Sequence, residues 1–227
     1  MVYSISDLHL GTSVDKPMDI FGKKWEGHFE KIKKDWLAKV GEDDVVLLAG
    51  DLSWAMTLEE AKEDLRKIAE LPGKKVLLKG NHDYWWQSLS KVKSILPEGI
   101  YILQNDVVRI GKYLFCGSRG WVMEHPTEED KKIFDRELIR LELSLSAMSK
   151  VRGEGDVVIG MTHFPPFDLT FAPTPVTELF RKYEVEIVVY GHLHGNVYAK
   201  RKVYLDKTNY YLTSCDLVDF ALVEIAD

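Results

Sequence analysis

Several short stretches of the chain are continuous apolar runs bounded by polar or turn residues. Uninterrupted runs of this kind are typical of strands that are covered on both faces. The predicted strands of this type occupy residues 1–6, 44–49, 74–79, 156–162 and 186–190. Because both faces need a cover, the pattern predicts sheets packed between other layers rather than a sheet with one wet face.

Stretches with helical periodicity alternate with these runs. Thr57 followed by Glu60 is a helix-start signature, and Pro72-Gly73 marks the end of the helix that follows. The periodicity predicts helices at residues 25–40, 57–71, 84–96 and 127–151, and a short one ending near residue 183. The heavily charged helix 127–151 is expected to present a solvated face, with a lid over a site as the alternative.

The remaining strands are predicted to be antiparallel. Residues 106–110 and 113–116 flank Gly111-Lys112 in hairpin fashion, and the tail at residues 197–225 is expected to form three antiparallel strands. The mixture of alternating strands and helices with antiparallel pieces indicates an α/β (α+β) fold. At 227 residues, with no evident linker, the prediction is a single domain over residues 1–227.

Composition narrows the function classes. The net charge of −6 comes from dispersed acidic residues, so no basic patch for nucleic acid or for an anionic membrane is visible. No apolar run approaches the ~20 residues of a membrane span. Cys116 and Cys215 form neither a disulfide framework nor a zinc-ribbon spacing, and the N-terminus lacks signal-peptide features. These observations predict a reducing, cytoplasmic setting, and leave the oligomeric state open.

Polar residues of one chemical type follow the predicted strands. Asp7 and His9, Asp51, Asn81 and His82, His163, and His192 and His194 each come directly after an apolar run. Alone, Gly80-Asn81 is also consistent with a turn, and a single histidine with a hydrogen-bonded loop residue. Five of the seven histidines lie at these ends, however. Since ligands bind outside the carboxyl ends of parallel strands, the set predicts one shared site.

The residue types indicate a two-metal site. Imidazole nitrogen combined with carboxylate and amide oxygen suits Mn, Fe or Zn better than Ca or Mg. Asp7 and Asp51 are carboxylates able to bridge two cations. Two carboxylates leave two divalent cations with excess positive charge, which attracts a phosphate oxyanion. A metal-bound hydroxide then attacks the ester, so no serine or cysteine nucleophile is needed.

The same residues carry a family resemblance. Ser6-Asp7-Leu8-His9-Leu10-Gly11, Gly50-Asp51, Gly80-Asn81-His82-Asp83, His163 and Gly191-His192-Leu193-His194 resemble the five motifs of the calcineurin-like metallophosphoesterases. They occur in the family's order and span most of the chain. The resemblance implies a four-layer αββα sandwich, with two mixed β-sheets flanked by helices and a dinuclear centre at the strand ends.

The resemblance also implies a role for each motif residue. One metal ion would be held by Asp7, His9, Asp51 and His194. The other would share Asp51 as a bridge and add Asn81, His163 and His192. His82 would be a catalytic histidine that stabilises the oxyanion and protonates the leaving oxygen. Asp83, the second residue assigned to catalysis, would orient its neighbours, with a helix N-terminal acid as the alternative.

One position departs from part of the family. The phosphoprotein phosphatases have Gly-Asp-x-x-Asp, whose second Asp pairs with the catalytic histidine, and this chain has Trp54 there. The first motif resembles the phosphodiesterase and nuclease members instead. The expected function is hydrolysis of a phosphodiester or phosphomonoester of a small, nucleotide-like or other phosphorylated substrate. The alternatives are a DNA nuclease, which the net charge disfavours, and a catalytically silent scaffold, which would have lost ligands.

Residues near the motifs suggest substrate contacts. Arg119, in a glycine-flanked loop, is predicted to bind a substrate phosphate, with a surface salt bridge as the alternative. The tryptophans beside the motif loops would either stack a nucleobase or pack helices onto the sheet, and the adjacent Trp85 and Trp86 are not expected to face inward together. His28 and His125 are taken as surface or capping residues.

Overall fold

The apolar runs form the central strands of the fold, each slightly shorter than predicted. A computed structural model of the chain describes residues 1–124, 127–195, 197 and 199–227. The strands are β1 (Val2–Ile5), β2 (Val45–Leu48), β3 (Lys74–Leu77), β4 (Ile100–Ile102), β5 (Val107–Ile110), β6 (Tyr113–Gly117), β7 (Val157–Met161), β8 (Ile187–Tyr190), β9 (Lys202–Leu205), β10 (Thr208–Leu212) and β11 (Val223–Ala226).

Two mixed sheets are built from these strands. The first has the order β11-β1-β2-β3-β4, with β11 antiparallel to β1 and the other neighbours parallel. The second has the order β5-β6-β7-β8-β10-β9, with antiparallel pairs only at its two edges. The carboxyl ends of the parallel strands therefore meet at one edge of each sheet.

Alternating residues of β2 show how the layers pack. Val45 and Leu47 lie in the apolar cluster between the two sheets, together with Phe115 and Ile159 of the second sheet. Val46 and Leu48 point the other way and pack under the helices of the first sheet. Each strand of this kind is thus covered on both faces, and the predicted αββα sandwich is confirmed.

The outer layers consist of five α-helices among the described residues: α1 (His28–Lys39), α2 (Leu58–Ala69), α3 (Leu89–Lys93), α4 (Glu128–Val151) and α5 (Pro175–Lys182). Helix α2 begins with the capping box that Thr57 and Glu60 predict, each side chain bonding to the backbone of the other residue. Helix α4 buries Phe134, Leu141 and Leu145 against the second sheet and exposes its other face. None of these helices has both the length and the apolar character needed to cross a bilayer.

Three local predictions are wrong. The helix predicted at 84–96 is reduced to α3, because residues 84–88 form a loop. In that loop successive side chains need not point in opposite directions, so Trp85 and Trp86 are both buried, with ring centroids 5.2 Å apart. The tail is not an antiparallel unit: β10 pairs in parallel with β8, and β11 crosses to the first sheet beside β1.

Candidate metal centre

The strand ends bring all the predicted ligands into one region between the two sheets. Hydrogen bonds join their loops: the backbone N–H of Asp7 donates to the Gly50 carbonyl at 2.9 Å, and that of Gly191 donates to the His163 carbonyl at 3.0 Å. A third bond crosses from the first sheet to the second, from Ser6 N–H to the Thr213 carbonyl at 2.8 Å. These backbone bonds join the loop after β1 to that after β2, and the loop after β8 to that after β7.

One cluster of metal-ligating atoms is formed by Asp7, His9 and His194, all within 4.8 Å of one another. Nε2 of His194 lies 3.4 Å from Nε2 of His9 and 3.4 Å from Oδ1 of Asp7. Asp7 and His9 are buried, whereas His194 is 32% exposed. This cluster is thus open to solvent on the side of His194.

A second cluster is formed by Asp7, Asp51 and His163. Nε2 of His163 lies 3.4 Å from Oδ2 of Asp51 and 2.8 Å from Oδ1 of Asn81. Nδ1 of His192 lies 3.0 Å from the same Asn81 oxygen and 3.3 Å from His163 Nε2. The four residues predicted for the second ion are therefore connected through His163 and Asn81.

Asp7 and Asp51 lie between the two clusters. Oδ2 of Asp51 is 3.4 Å from His163 Nε2 and 3.9 Å from His9 Nε2, so it reaches both sides, as a bridging ligand must. Asp7 belongs to both clusters as well, whereas the family resemblance implied Asp51 as the bridge. The geometry thus offers two carboxylates, rather than one, for a bridge.

The hydrogen-bond pattern of two histidines tests whether a cation fits. Nδ1 of His163 lies 2.9 Å from the Ala49 carbonyl. Because a carbonyl oxygen only accepts hydrogen bonds, Nδ1 carries a proton. When the ring is neutral, the lone pair of Nε2 therefore points toward Asp51 and Asn81. His194 is held the same way, because its Nδ1 donates to a carboxylate. Lone pairs at these distances repel unless a proton or a metal ion lies between them, and nitrogen with carboxylate oxygen suits Mn, Fe or Zn. The residues fit such a metal centre.

Four of the candidate ligands have a strained backbone conformation. Asp7, His9, Asp51 and His192 have φ values of 60°, 45°, 52° and 70°, in the left-handed region that side-chain-bearing residues rarely adopt. A side chain on Gly191 would overlap with the Ser6 hydroxyl and the Asp7 carboxylate. Such conformations cost about 1–3 kcal/mol each and persist where the surroundings enforce them, typically at functional sites.

Burial and charge set the protonation of the site. Burial lowers the pKa of His9 and of His192 to about 4, and in His192 the neighbouring His163 adds to the effect. Burial also opposes charge on His194, but hydrogen bonds to Asp216 and Asp7 raise its pKa to about 10, so a metal ion must displace the proton of its Nε2 to bind there. Burial opposes charge on Asp51, while His163 lowers the pKa of that carboxyl. His9 and His192 are therefore neutral near pH 7, as metal ligation requires.

His82 lies at the rim of the centre, held by aromatic neighbours. Its backbone N–H donates to Oδ1 of Asp51 at 2.8 Å, and its ring centroid is 4.8 Å from that of Trp54. Trp54 also stacks on His9, at 4.7 Å and 18° between planes. The hydroxyl of Tyr84 lies 3.4 Å from Nδ1 of His82. Trp54 and Tyr84 thus surround the ring at the place where the phosphoprotein phosphatases supply an aspartate.

Asp83 is fully buried, and its carboxylate binds backbone rather than His82. It accepts hydrogen bonds from the N–H groups of Asp51, Leu52, Ser53 and Gly80 at 2.8–3.2 Å, and from the Trp85 indole at 3.1 Å. Burial and the charge of Asp51 raise its pKa to about 6. Asp83 therefore ties the loop after β2 to the loop after β3, and no helix begins there for it to cap.

Asp216 is a residue of the candidate site that the motifs did not include. Its Oδ1 accepts a hydrogen bond from Nδ1 of His194 at 2.8 Å, and its Oδ2 accepts one from Gly195 N–H at 2.8 Å. Such a carboxylate fixes the tautomer and direction of a metal-ligating imidazole. The signal was present, since Asp216 follows a strand of the parallel type, but the tail had been assigned to an antiparallel unit.

Comparison with known proteins identifies the family. The profile described as calcineurin-like phosphoesterase matches residues 2–196. The chain belongs to the calcineurin-like phosphoesterase family. It is 25% identical to the Gene 66 protein of Mycobacterium phage L5 over 199 residues, covering 88% of this chain and 80% of that protein.

Solved structures share the fold of this calcineurin-like phosphoesterase. TT1561 of Thermus thermophilus superposes with a TM-score of 0.57 at 13% identity, over 100% of this chain and 97% of that one. Phosphopantetheinyl hydrolase (PptH) from Mycobacterium tuberculosis gives 0.56 at 15% identity, over 94% and 88%. Family and metal-ligating clusters together support a metal-dependent phosphoester hydrolase.

The other residues singled out in this calcineurin-like phosphoesterase have mixed positions. Arg119 is 19% exposed and lies 3.7 Å from Glu137, so it is neither at the surface nor in a close ion pair. His28 begins α1, is half-buried, and contacts the Leu8 carbonyl at 2.9 Å. Trp85 and Trp86 pack beneath the helices of the first sheet. His125 lies outside the described residues.

Proposed function

We propose that this protein is a phosphohydrolase with a dinuclear metal centre, acting on a phosphodiester or phosphomonoester of a small substrate. The observation that carries the proposal is the convergence of seven nitrogen and oxygen ligands whose lone pairs face one another. They come from five separate strand ends of two sheets, which is a costly arrangement without cations. No comparable need arises in a domain that only binds a partner.

The residues divide into ligands for two ions. Asp7, His9, Asp51 and His194 would hold one, and Asp51, Asn81, His163 and His192 the other, with Asp7 as a further carboxylate between them. When bound, divalent Mn, Fe or Zn ions polarise a phosphoryl oxygen and lower the pKa of water. The strained backbone of the ligand loops keeps the donors in place before any ion arrives.

His82 is assigned the proton transfer. It lies beside Asp51, is not among the ligand atoms of either cluster, and presents its ring at the rim of the site. A histidine placed there donates a proton to the departing oxygen of the ester. Tyr84 and Trp54 hold the ring, and Asp83 positions the loop that carries it.

Trp54 favours a phosphodiesterase over a protein phosphatase, because the aspartate of that branch is replaced by an indole. A net charge of −6 disfavours a DNA nuclease. A silent scaffold would have lost ligands, and every predicted ligand is both present and in contact with another. We therefore propose hydrolysis of a small phosphorylated substrate.

Metal analysis and activity assays test this function. We expect the purified protein to carry about two transition-metal equivalents, and to hydrolyse a chromogenic phosphodiester or monoester with added Mn²⁺. His82→Ala should keep its metals while turnover falls by about 10²–10⁴. Asp51→Asn should lose affinity for both ions. No hydrolysis of either ester by the metal-loaded protein would refute the proposal, and metal loss in His82→Ala would refute the role of His82.

A further inference from the structure

A cavity of about 320 Å³ lies between helix α4 and the loops after β3, β4 and β6. Trp86 and Leu103 form part of its wall, and four cationic side chains face it: Lys79, Arg119, Arg136 and Arg140. Glu137 is the carboxylate among its described lining residues. The cavity thus differs in character from the acidic surface of the rest of the chain.

Four cations against one carboxylate leave this cavity with an excess of three positive charges, in a chain of net charge −6. Glu137 is 3% exposed, and its Oε1 lies 2.7 Å from Nη1 of Arg140 and 3.7 Å from Nη2 of Arg119. That one carboxylate is therefore already shared by two guanidinium groups. Lys79 donates instead to the Trp86 carbonyl, at 3.3 Å.

Arg119 has a buried donor without a partner in the part of the chain that the structure describes. Its guanidinium lies over the ring of Trp121 at 4.8 Å, and among the described residues its buried Nε has no hydrogen-bond partner. Burial lowers the pKa of Arg119, an effect that Glu137 opposes and that Arg140 and Arg136 increase. A desolvated guanidinium with an unused donor is unfavourable unless an acceptor completes it.

Helix α4 adds a second unfavourable feature on the same side. Arg136 and Arg140 are four residues apart, and like charges at that spacing on a helix repel each other. Both side chains line the cavity. An anion between them would turn the repulsion into two charge-assisted hydrogen-bonding partners.

The cavity shares structural elements with the metal centre. Lys79 precedes the Gly80-Asn81 turn, and the carbonyl of Arg119 accepts the backbone N–H groups of His163 and Phe164, each at 3.0 Å. The charge of Asp51 acts on Arg119 as well. The loops after β3 and β6 therefore connect the cavity to the metal centre.

We propose that the cavity formed by Lys79, Arg119, Arg136 and Arg140 binds a second anionic group, phosphate or carboxylate, of the phosphoester substrate. This inference rests on the proposed hydrolase function, and it narrows the substrate class to phosphoesters that carry two separated anionic groups. Arg119 then binds the second group rather than the phosphate under attack.

Phosphate binding tests the cavity without catalysis. Equilibrium dialysis of the metal-loaded protein against inorganic phosphate should give two bound ions per chain, one at each site. Two variants are compared with the native protein: Arg136→Gln, at an exposed position, and the double variant Arg136→Gln with Arg140→Gln. Each should lower the phosphate affinity of one of the two sites by about tenfold or more, the contribution of one charge-assisted hydrogen bond. Arg66→Gln, which removes an exposed helix arginine elsewhere, is the matched control. Two sites unchanged in the double variant, or one site in the native protein, would overturn the proposal.

Pairs of substrates test whether the cavity binds the second anionic group of the ester that is hydrolysed. Monophosphates and bisphosphates of linear diols with increasing spacer length are compared by phosphate release. At the best spacer the bisphosphate should have a KM about tenfold lower, and the KM ratio should approach one in the double variant but not in Arg66→Gln. Equal KM values at every spacer would overturn the substrate class while leaving the hydrolase function intact. If no ester is hydrolysed, the hydrolase function is refuted. The dialysis result then decides the anion site separately: a single bound phosphate, or a second phosphate whose binding the double variant does not weaken, refutes anion binding in the cavity.

Discussion

Nδ1 of His194 donates a hydrogen bond to the carboxylate of Asp216 at 2.8 Å. The contact turns Nε2 of His194 toward Asp7 and His9, and it joins the segment after β10 to the loop after β8. A residue beyond the recognised motifs thus controls the direction of a candidate metal ligand. Fixing the tautomer in this way raises the basicity of the ligating nitrogen.

Asp216→Asn should weaken metal binding by about 10–100-fold, the usual effect of removing a partner of a ligating histidine. The amide can present either its oxygen or its NH₂ to Nδ1, so the tautomer is no longer enforced. Competition with a chromophoric chelator measures the affinity. Asp219→Asn, at an exposed neighbour that pairs with Arg201, should bind metal like the native protein. Equal affinity in both variants would show that Asp216 is not needed to orient His194.

Tyr84→Phe should lower kcat by about fivefold, the equivalent of one neutral hydrogen bond of about 1 kcal/mol, with little change in KM. The variant keeps the ring and removes the hydroxyl that lies 3.4 Å from Nδ1 of His82. Tyr101→Phe, on β4 and away from His82, serves as the control. An unaltered kcat would leave Trp54 alone to position the histidine.

Asp83→Asn should destabilise the fold by about 3 kcal/mol, because an amide replaces a buried carboxylate that accepts five N–H groups. For a chain of this size, that corresponds to a drop in Tm of roughly 6–12 °C. Thermal unfolding followed by circular dichroism measures it. Asp43→Asn, at an exposed turn residue, should leave Tm almost unchanged. A similar Tm for both variants would mean that the backbone network does not depend on Asp83.

The pair Arg109–Asp156 predicts a pH-dependent contribution to stability. Both guanidinium Nη atoms of Arg109 donate to Asp156 at 2.8 Å, and this bond, with one from Gly153 N–H, lowers the pKa of that carboxyl. A lowered carboxyl pKa means stability that is present above the unfolded value of about 3.8 and lost as the pH falls through the folded value. Native protein should therefore exceed Asp156→Asn in Tm from pH 5 to 7.

The difference in Tm between native protein and Asp156→Asn should shrink as the pH falls below about 4. Glu154→Gln, at a neighbouring exposed carboxyl, should follow the native curve throughout. A difference that stays constant down to pH 3 would show that the pair contributes through packing and not through charge.

The layers of the fold were predictable from the sequence because the features that determine the strands and the start of helix α2 are local. Uninterrupted apolar runs such as residues 44–49 need cover on both faces, and Thr57 with Glu60 satisfies the first turn of α2 within the helix itself. The length of α3 was not predictable from the sequence. Trp85 donates a hydrogen bond to Asp83 and Trp86 donates one to Gln104, and these contacts hold residues 84–88 in a loop. Those partners are chosen by tertiary packing.

By itself, the sequence determined which residues could ligate a metal, because chemical type and position after a strand are both written in the chain. Only the tertiary structure decided how they are used: that Asp7 serves both clusters, that β11 crosses to the first sheet, and that Asp216 orients His194. The physical reason is that these relations join segments distant in sequence, whose proximity depends on which strands become neighbours. No local pattern of polar and apolar residues encodes that choice.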